Sequence, residues 1–168
     1  MPLKAEELPA RISALVAELV SAGAADETLG IFVPSRGIGP LSTSEKFKAV
    51  GRAWRLGVLL VDSAGQLYAT GELTRAIEPG RAAVNRSAEG ERRRALRMAA
   101  SRSGFPTGEV VNFGYLAVDP SADALERGSG PLGIEDGVVV VRVDPGSSVA
   151  TDLERYLAER FTLLTQPE

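Results

Sequence analysis

The chain has 168 residues, 44% of them hydrophobic and 24% charged, with a formal net charge of −3. That is the make-up of an ordinary globular protein long enough to bury a core. It contains no histidine and no cysteine, which excludes Cys/His zinc sites, Cys–His and Ser–His–Asp catalysis, haem ligation by histidine and every disulfide.

The first element is a helix over about 6–22. Leu8, Ile12, Leu15, Val16, Leu19 and Val20 recur at three- and four-residue spacing, Pro9 fits a first turn, and Gly23 ends the helix with a left-handed cap. This N-terminal stretch is broken by Glu18 and is not a signal peptide. No run approaches the ~18 apolar residues of a membrane span. A cytoplasmic protein with no membrane partner is expected. Ile31, Phe32 and Val33 form a short strand, and the following segment, with Ser35, Arg36, Gly37, Gly39 and Pro40, forms a loop. That loop lacks the Gly-Lys-Ser/Thr ending of a phosphate-binding loop, and Pro40 removes an amide donor.

A central β-hairpin is expected over 55–62 and 66–77, turning at Ser63, Ala64 and Gly65 with a positive φ at Gly65. Both faces of its first strand are apolar, with Leu56, Val58 and Leu60 opposite Leu59 and Val61. On its second strand Leu67, Ala69, Gly71 and Leu73 share one face and Tyr68, Thr70, Glu72 and Thr74 the other. Trp54, at the start of the hairpin, anchors the edge of the core.

A second helix follows over 87–103, stopped by Gly104 and Pro106. The segment 109–118 alternates as a strand, 119–136 reads as a long exposed connection, and Val138 opens a buried β-branched strand. A last helix over 148–164 is capped by Ser147 or Ser148, with a stripe of Val149, Leu153, Tyr156, Leu157, Phe161 and Leu164. The expected fold is a single α+β domain over 1–168, an antiparallel or mixed sheet of about five strands packed by three helices. The hairpin excludes a purely parallel sheet.

Basic charge is carried by sixteen arginines and only three lysines. With abundant alanine and glycine, this bias points to a GC-rich bacterial genome. The charge is polarised. Residues 75–102 hold eight arginines and three acids, whereas 119–168 holds ten acids and four arginines. On the second helix Arg86, Arg93 and Arg97 form a stripe beside the narrow apolar face of Ala95, Leu96, Ala99 and Ala100. Arg92 falls within that face, where an unpaired guanidinium is very costly. It must snorkel, bind an anion or pair with an acid, and Glu89 is three residues away.

Carboxylates can act as acids and bases without histidine. Asp62, Glu72 and Glu109 are candidates, with Tyr68, Thr70, Asn112 and Tyr115 as pocket residues. Asp123, Glu126, Glu135 and Asp136 match no calcium-loop pattern, so no metal and no cofactor is expected.

No motif attaches the chain to a family. Three functions fit the sequence. The first is a non-catalytic protein-association or regulatory module, working as a homodimer whose basic and acidic segments meet. The second is a binding protein or enzyme for a small phosphate- or carboxylate-bearing metabolite. Its candidate residues are Arg36, Arg75, Arg92, Arg93, Arg97, Tyr68 and Glu72. The third is nucleic-acid binding through the arginine-rich helix. Net negative charge and the lack of aromatics among those arginines argue against it.

Overall fold

A computed structural model describes residues 1–81 and 87–166. It is α+β, with four α-helices, a seven-stranded mixed sheet and a three-stranded sheet among the described residues. In chain order the elements are α1 (Leu8–Ser21), β1 (Glu27–Val33), β2 (Lys46–Leu56), β3 (Leu59–Asp62), β4 (Leu67–Ala69) and β5 (Glu72–Arg75). Then come α2 (Ala88–Ser101), β6 (Val110–Phe113), β7 (Leu116–Ala117), α3 (Ala122–Arg127), β8 (Leu132–Glu135), β9 (Val138–Val141), β10 (Thr151–Asp152) and α4 (Leu153–Thr165). The larger sheet has the order β5-β6-β1-β2-β3-β4-β7 and the smaller β10-β9-β8. The chain forms two compact units, one of Met1–Asp26, Ala53–Thr70 and Tyr115–Glu168, the other of Glu27–Arg52 and Gly71–Gly114.

The first unit holds a leucine-rich core. Leu8, Ile12, Leu15 and Leu19 of α1 are buried as the spacing predicts, while Val20 stays exposed. Gly23 takes φ +62°, and Ala24 N–H donates to the Leu19 carbonyl, closing the helix as expected. Trp54 is buried, and its indole N–H donates to the Ala24 carbonyl at 3.0 Å.

The expected hairpin differs in its first strand. Residues 55–62 are not one strand, because the chain reverses at Gly57 and Val58, so that Leu56 pairs with Leu59. The reason lies in α4. The Tyr156 hydroxyl accepts from Val58 N–H at 2.8 Å and donates to the Leu56 carbonyl at 3.0 Å, and a Cβ on Gly57 would stand 2.0 Å from that oxygen. Leu59, Leu60 and Val61 are fully buried, as two apolar faces imply. The turn after Asp62 does form at Gly65, φ +82°.

Two further expectations fall in this unit. The supposed connection 119–136 contains α3, capped by the Ser121 hydroxyl, and β8, with Leu125 and Leu132 buried. The last helix begins later than expected and is capped by Asp152, whose carboxylate accepts from Arg155 N–H at 3.0 Å. Ser147 instead accepts from Val149 N–H, and Val149 is 72% exposed rather than part of the stripe.

The second unit is smaller-cored. β6 runs parallel to β1 and antiparallel to β5, so the sheet is mixed. Phe47 and Phe113 meet at 5.0 Å between ring centres, and Ala99 and Ala100 of α2 join the same cluster. α2 occupies nearly its predicted span and starts at Ser87, whose hydroxyl accepts from Gly90 N–H.

The expected strands 66–77 and 109–118 are both interrupted, at Gly71 and Gly114. A Cβ on Gly71 would lie 2.3 Å from the Gly114 carbonyl carbon, so the backbones touch where a side chain would have to go. Splitting the long strands raises the strand number well above the expected five. It also inverts the faces, because Leu73 is 49% exposed whereas Thr74 is buried.

Candidate functional site

The second unit brings the arginine-rich helix against a sheet edge. α2 lies on β5, the last strand of the larger sheet. Ala99 and Ala100 supply the buried contact, and their small size lets the helix approach closely. The end of α2 is tied to β2 by Ser103, whose hydroxyl accepts from Phe47 N–H at 2.8 Å and donates to the Ala99 carbonyl.

Arg92 does not occupy the buried face expected of it. Its side chain is 47% exposed and forms a two-pronged pair with Glu72 of β5, at 2.7 and 2.9 Å. The buried residues of the helix are Ala99 and Ala100, and Arg92, two turns earlier, stays at the surface and pairs with the strand. That hydrogen-bonded pair holds the Glu72 carboxyl below the ordinary glutamate range and the Arg92 guanidinium above its own. Glu89, the expected partner of Arg92, instead faces Arg93 at 3.3 Å.

Arg75, Arg93 and Arg97 border one cavity. With Leu73, Thr74 and Leu96 they line a trough of about 230 Å³ between the β5 edge and α2. Among the described residues neither Arg75 nor Arg97 forms an ion pair. Three of the arginines named from sequence therefore share one site. Its other half, Leu73, Thr74 and Leu96, carries no sequence signal, since only the break at Gly71 exposes Leu73.

The remaining named residues go elsewhere. Arg36 pairs through its backbone with Thr43 and closes the loop that contains Gly39–Leu41. Arg86 lies outside the described residues. Tyr68 belongs to the first unit, where its hydroxyl donates to the Asp62 carboxylate at 3.1 Å and its ring meets Tyr115 edge-on at 5.2 Å. Burial, then the Asp62 hydrogen bond, raises the Tyr68 phenol above its usual value. Glu72 and Tyr68 stand on separate strands, β5 and β4, because the strand expected to join them is broken.

The candidate acids are occupied. Asp62 also accepts from the Ala64 and Gln66 amides and so braces its own turn. Glu109 accepts from the Thr28 hydroxyl at 2.8 Å and pairs with Arg52 at 3.0 Å, and Asn112 donates to Glu27 at 3.0 Å. Glu135 pairs with Arg142. Among the described residues no group of three or more carboxylates is arranged to hold a metal ion, and no helix is long and apolar enough to cross a membrane.

Comparison with protein-family models, with curated proteins and with solved structures finds no match.

Proposed function

We propose that the protein is a non-catalytic recognition module that captures a carboxylate or phosphate group in the trough formed by β5 and α2. One observation carries this reading. Arg11 pairs with Glu154, Arg52 with Glu109 and Arg92 with Glu72. Arg75 and Arg97 share a trough without such a partner among the described residues.

The chemistry follows from the side chains. A guanidinium fork matches the paired oxygens of a carboxylate or phosphate. Leu73 and Leu96 beside it offer apolar contact to the rest of the ligand. Among the described residues that line the trough the titratable groups are arginines, and arginine stays protonated throughout the working range of proteins. The reading is therefore recognition. The homodimer expected from charge polarity would need a different face, since two arginine troughs repel.

The test is calorimetric titration with inorganic phosphate and with citrate. A hydrogen bond to a charged group contributes about 1.5–3 kcal/mol. Arg75→Ala and Arg97→Ala should therefore each weaken binding about tenfold or more, while Arg155→Ala on α4 leaves it unchanged. Equal affinity in wild type and in the double Arg75→Ala/Arg97→Ala variant would sink the proposal.

A further inference from the structure

We infer that the occupant of this trough is an extended acidic peptide segment of a partner protein, which adds to β5 as a further strand. The inference rests on the anion-recognition reading and names its partner.

The first support is backbone geometry. β5 pairs with β6 in antiparallel register, Thr74 opposite Val111 and Arg75 opposite Val110. Ala76 N–H donates to the Glu109 carbonyl at 2.9 Å and Gly108 N–H to the Ala76 carbonyl at 3.0 Å, so the backbone groups of Ala76 face β6. In an antiparallel ladder this alternates every residue. Thr74 and Glu72 therefore also face β6, and the backbone groups of Leu73 and Arg75 point outward. The Arg75 carbonyl is taken by Ile77 N–H. That leaves the Leu73 N–H and carbonyl and the Arg75 N–H turned to the edge. Among the described residues no strand lies on that side of β5.

The second support is the position of the trough. It runs along this edge, with Leu73, Thr74 and Arg75 on the strand side and Arg93, Leu96 and Arg97 on the helix side. A strand added to an edge beside a helix gains main-chain hydrogen bonds from the edge. It places alternate side chains over the groove, which read specificity. Here the groove offers a leucine and an arginine on the strand side and a leucine and two arginines on the helix side, which suits a segment carrying both apolar and acidic residues. The Glu72–Arg92 pair holds helix and strand together without consuming the trough arginines.

Charge decides among occupants. The β5 strand of a second copy would bring two sets of Arg75, Arg93 and Arg97 together, and like charges across a pairing are destabilising. A single-stranded nucleic acid would satisfy the arginines, but no aromatic ring lines the trough for a base to stack on. An acidic strand satisfies both the open backbone and the charge.

The test uses the full chain and a capped octapeptide alternating glutamate and valine. Parallel arms use the same peptide N-methylated at alternate amides, inorganic phosphate, and oligothymidylate. The inference expects the plain peptide to bind, with the amide resonances of Leu73 and Arg75 shifting on titration. It expects the N-methylated peptide to bind about fivefold more weakly for each backbone bond lost. Equal binding of plain and N-methylated peptides would overturn strand addition. Binding of phosphate without the peptide would overturn this inference and leave the anion-recognition reading standing. Binding of neither would overturn both, and oligothymidylate binding in place of the peptide would reassign the trough to nucleic acid.

Discussion

The two units solve the problem of folding with different materials. Of the largest fully buried side chains among the described residues, only Val111 belongs to the second unit, and the rest, among them Leu15, Leu59, Leu132 and Leu157, lie in the first. The buried polar side chains show the reverse, since Thr28, Thr74 and Asn112 are all in the second unit. Burying leucine is favourable without further conditions, whereas a buried hydroxyl or amide must keep its partner. The first unit is therefore secured by apolar volume. The second combines a smaller apolar cluster around Phe47 and Phe113 with hydrogen bonds such as Thr28 to Glu109 and the exposed Glu72–Arg92 pair. The element that carries the proposed site is held by a small apolar contact at Ala99 and Ala100 together with surface-accessible polar contacts, and regions with few buried apolar contacts are where proteins place their mobile and binding parts.

Substitutions can break this comparison. Leu157→Ala in the first unit should cost about 2–5 kcal/mol, because it deletes fully buried methyl groups and leaves a cavity. Arg97→Ala in the trough should change stability by no more than about 0.5 kcal/mol. Thermal unfolding of the two variants side by side checks both numbers. If the arginine variant lost as much as the leucine variant, the trough would be structural and the contrast between the units would fail.

Gly71→Ala sharpens the same contrast from the side of the backbone. The added methyl meets the Gly114 carbonyl group at 2.3–2.4 Å, which is closer than real Cβ contacts, so the start of β5 must shift. Overpacking of this kind costs about 1–3 kcal/mol. Amide exchange should show the loss concentrated in β5 and α2. Uniform loss across α1 and α4 as well would mean that the two units do not differ in their local stability.

The smallest effect is a pH dependence of the Glu72–Arg92 pair. The Glu72 carboxyl is held below its ordinary value of 4.5, chiefly by the hydrogen bond to Arg92. A group depressed in the folded state contributes its stability fully above the unfolded value and loses it as pH falls through the folded one. Protection of α2 amides should therefore be flat above 4.5 and fall below it. In Glu72→Gln that acid-dependent step should disappear. Both groups are largely solvated, so the step is small and should shrink further with added salt. A Glu72→Gln protein with the same acid profile as wild type would assign the step to another carboxylate.

How far the sequence was legible varies from element to element. α1 and α2 were readable because helix periodicity, a proline in the first turn and a capping serine are all local signals. The break of 66–77 into β4 and β5 was not, because nothing in the local pattern shows that Gly71 must touch the backbone of Gly114. A missed signal did exist at Asp136-Gly137. Both residues have positive φ, 50° and 76°, and they join β8 to β9 where an exposed connection was expected. An Asp-Gly pair between apolar runs is among the strongest short-range signs of a hairpin. The site divides in the same way. Arg75, Arg93 and Arg97 stood out by their number on a charge-polarised chain, but their grouping depended on the edge position of β5.

The sequence by itself determined the chemistry available to this protein. Without histidine or cysteine, recognition of an anion falls chiefly to arginine, and local periodicity sufficed to place Arg92, Arg93, Arg94 and Arg97 on one helix. Only the tertiary structure decided which of them pair with a distant acid and which line a trough. Ion pairs such as Arg92 with Glu72 form between residues distant in the chain, and the break at Gly71 that turns Leu73 outward comes from a backbone contact 43 residues away, at Gly114. Contacts of that range follow from how strands are ordered in a sheet, which the local pattern of residues does not encode.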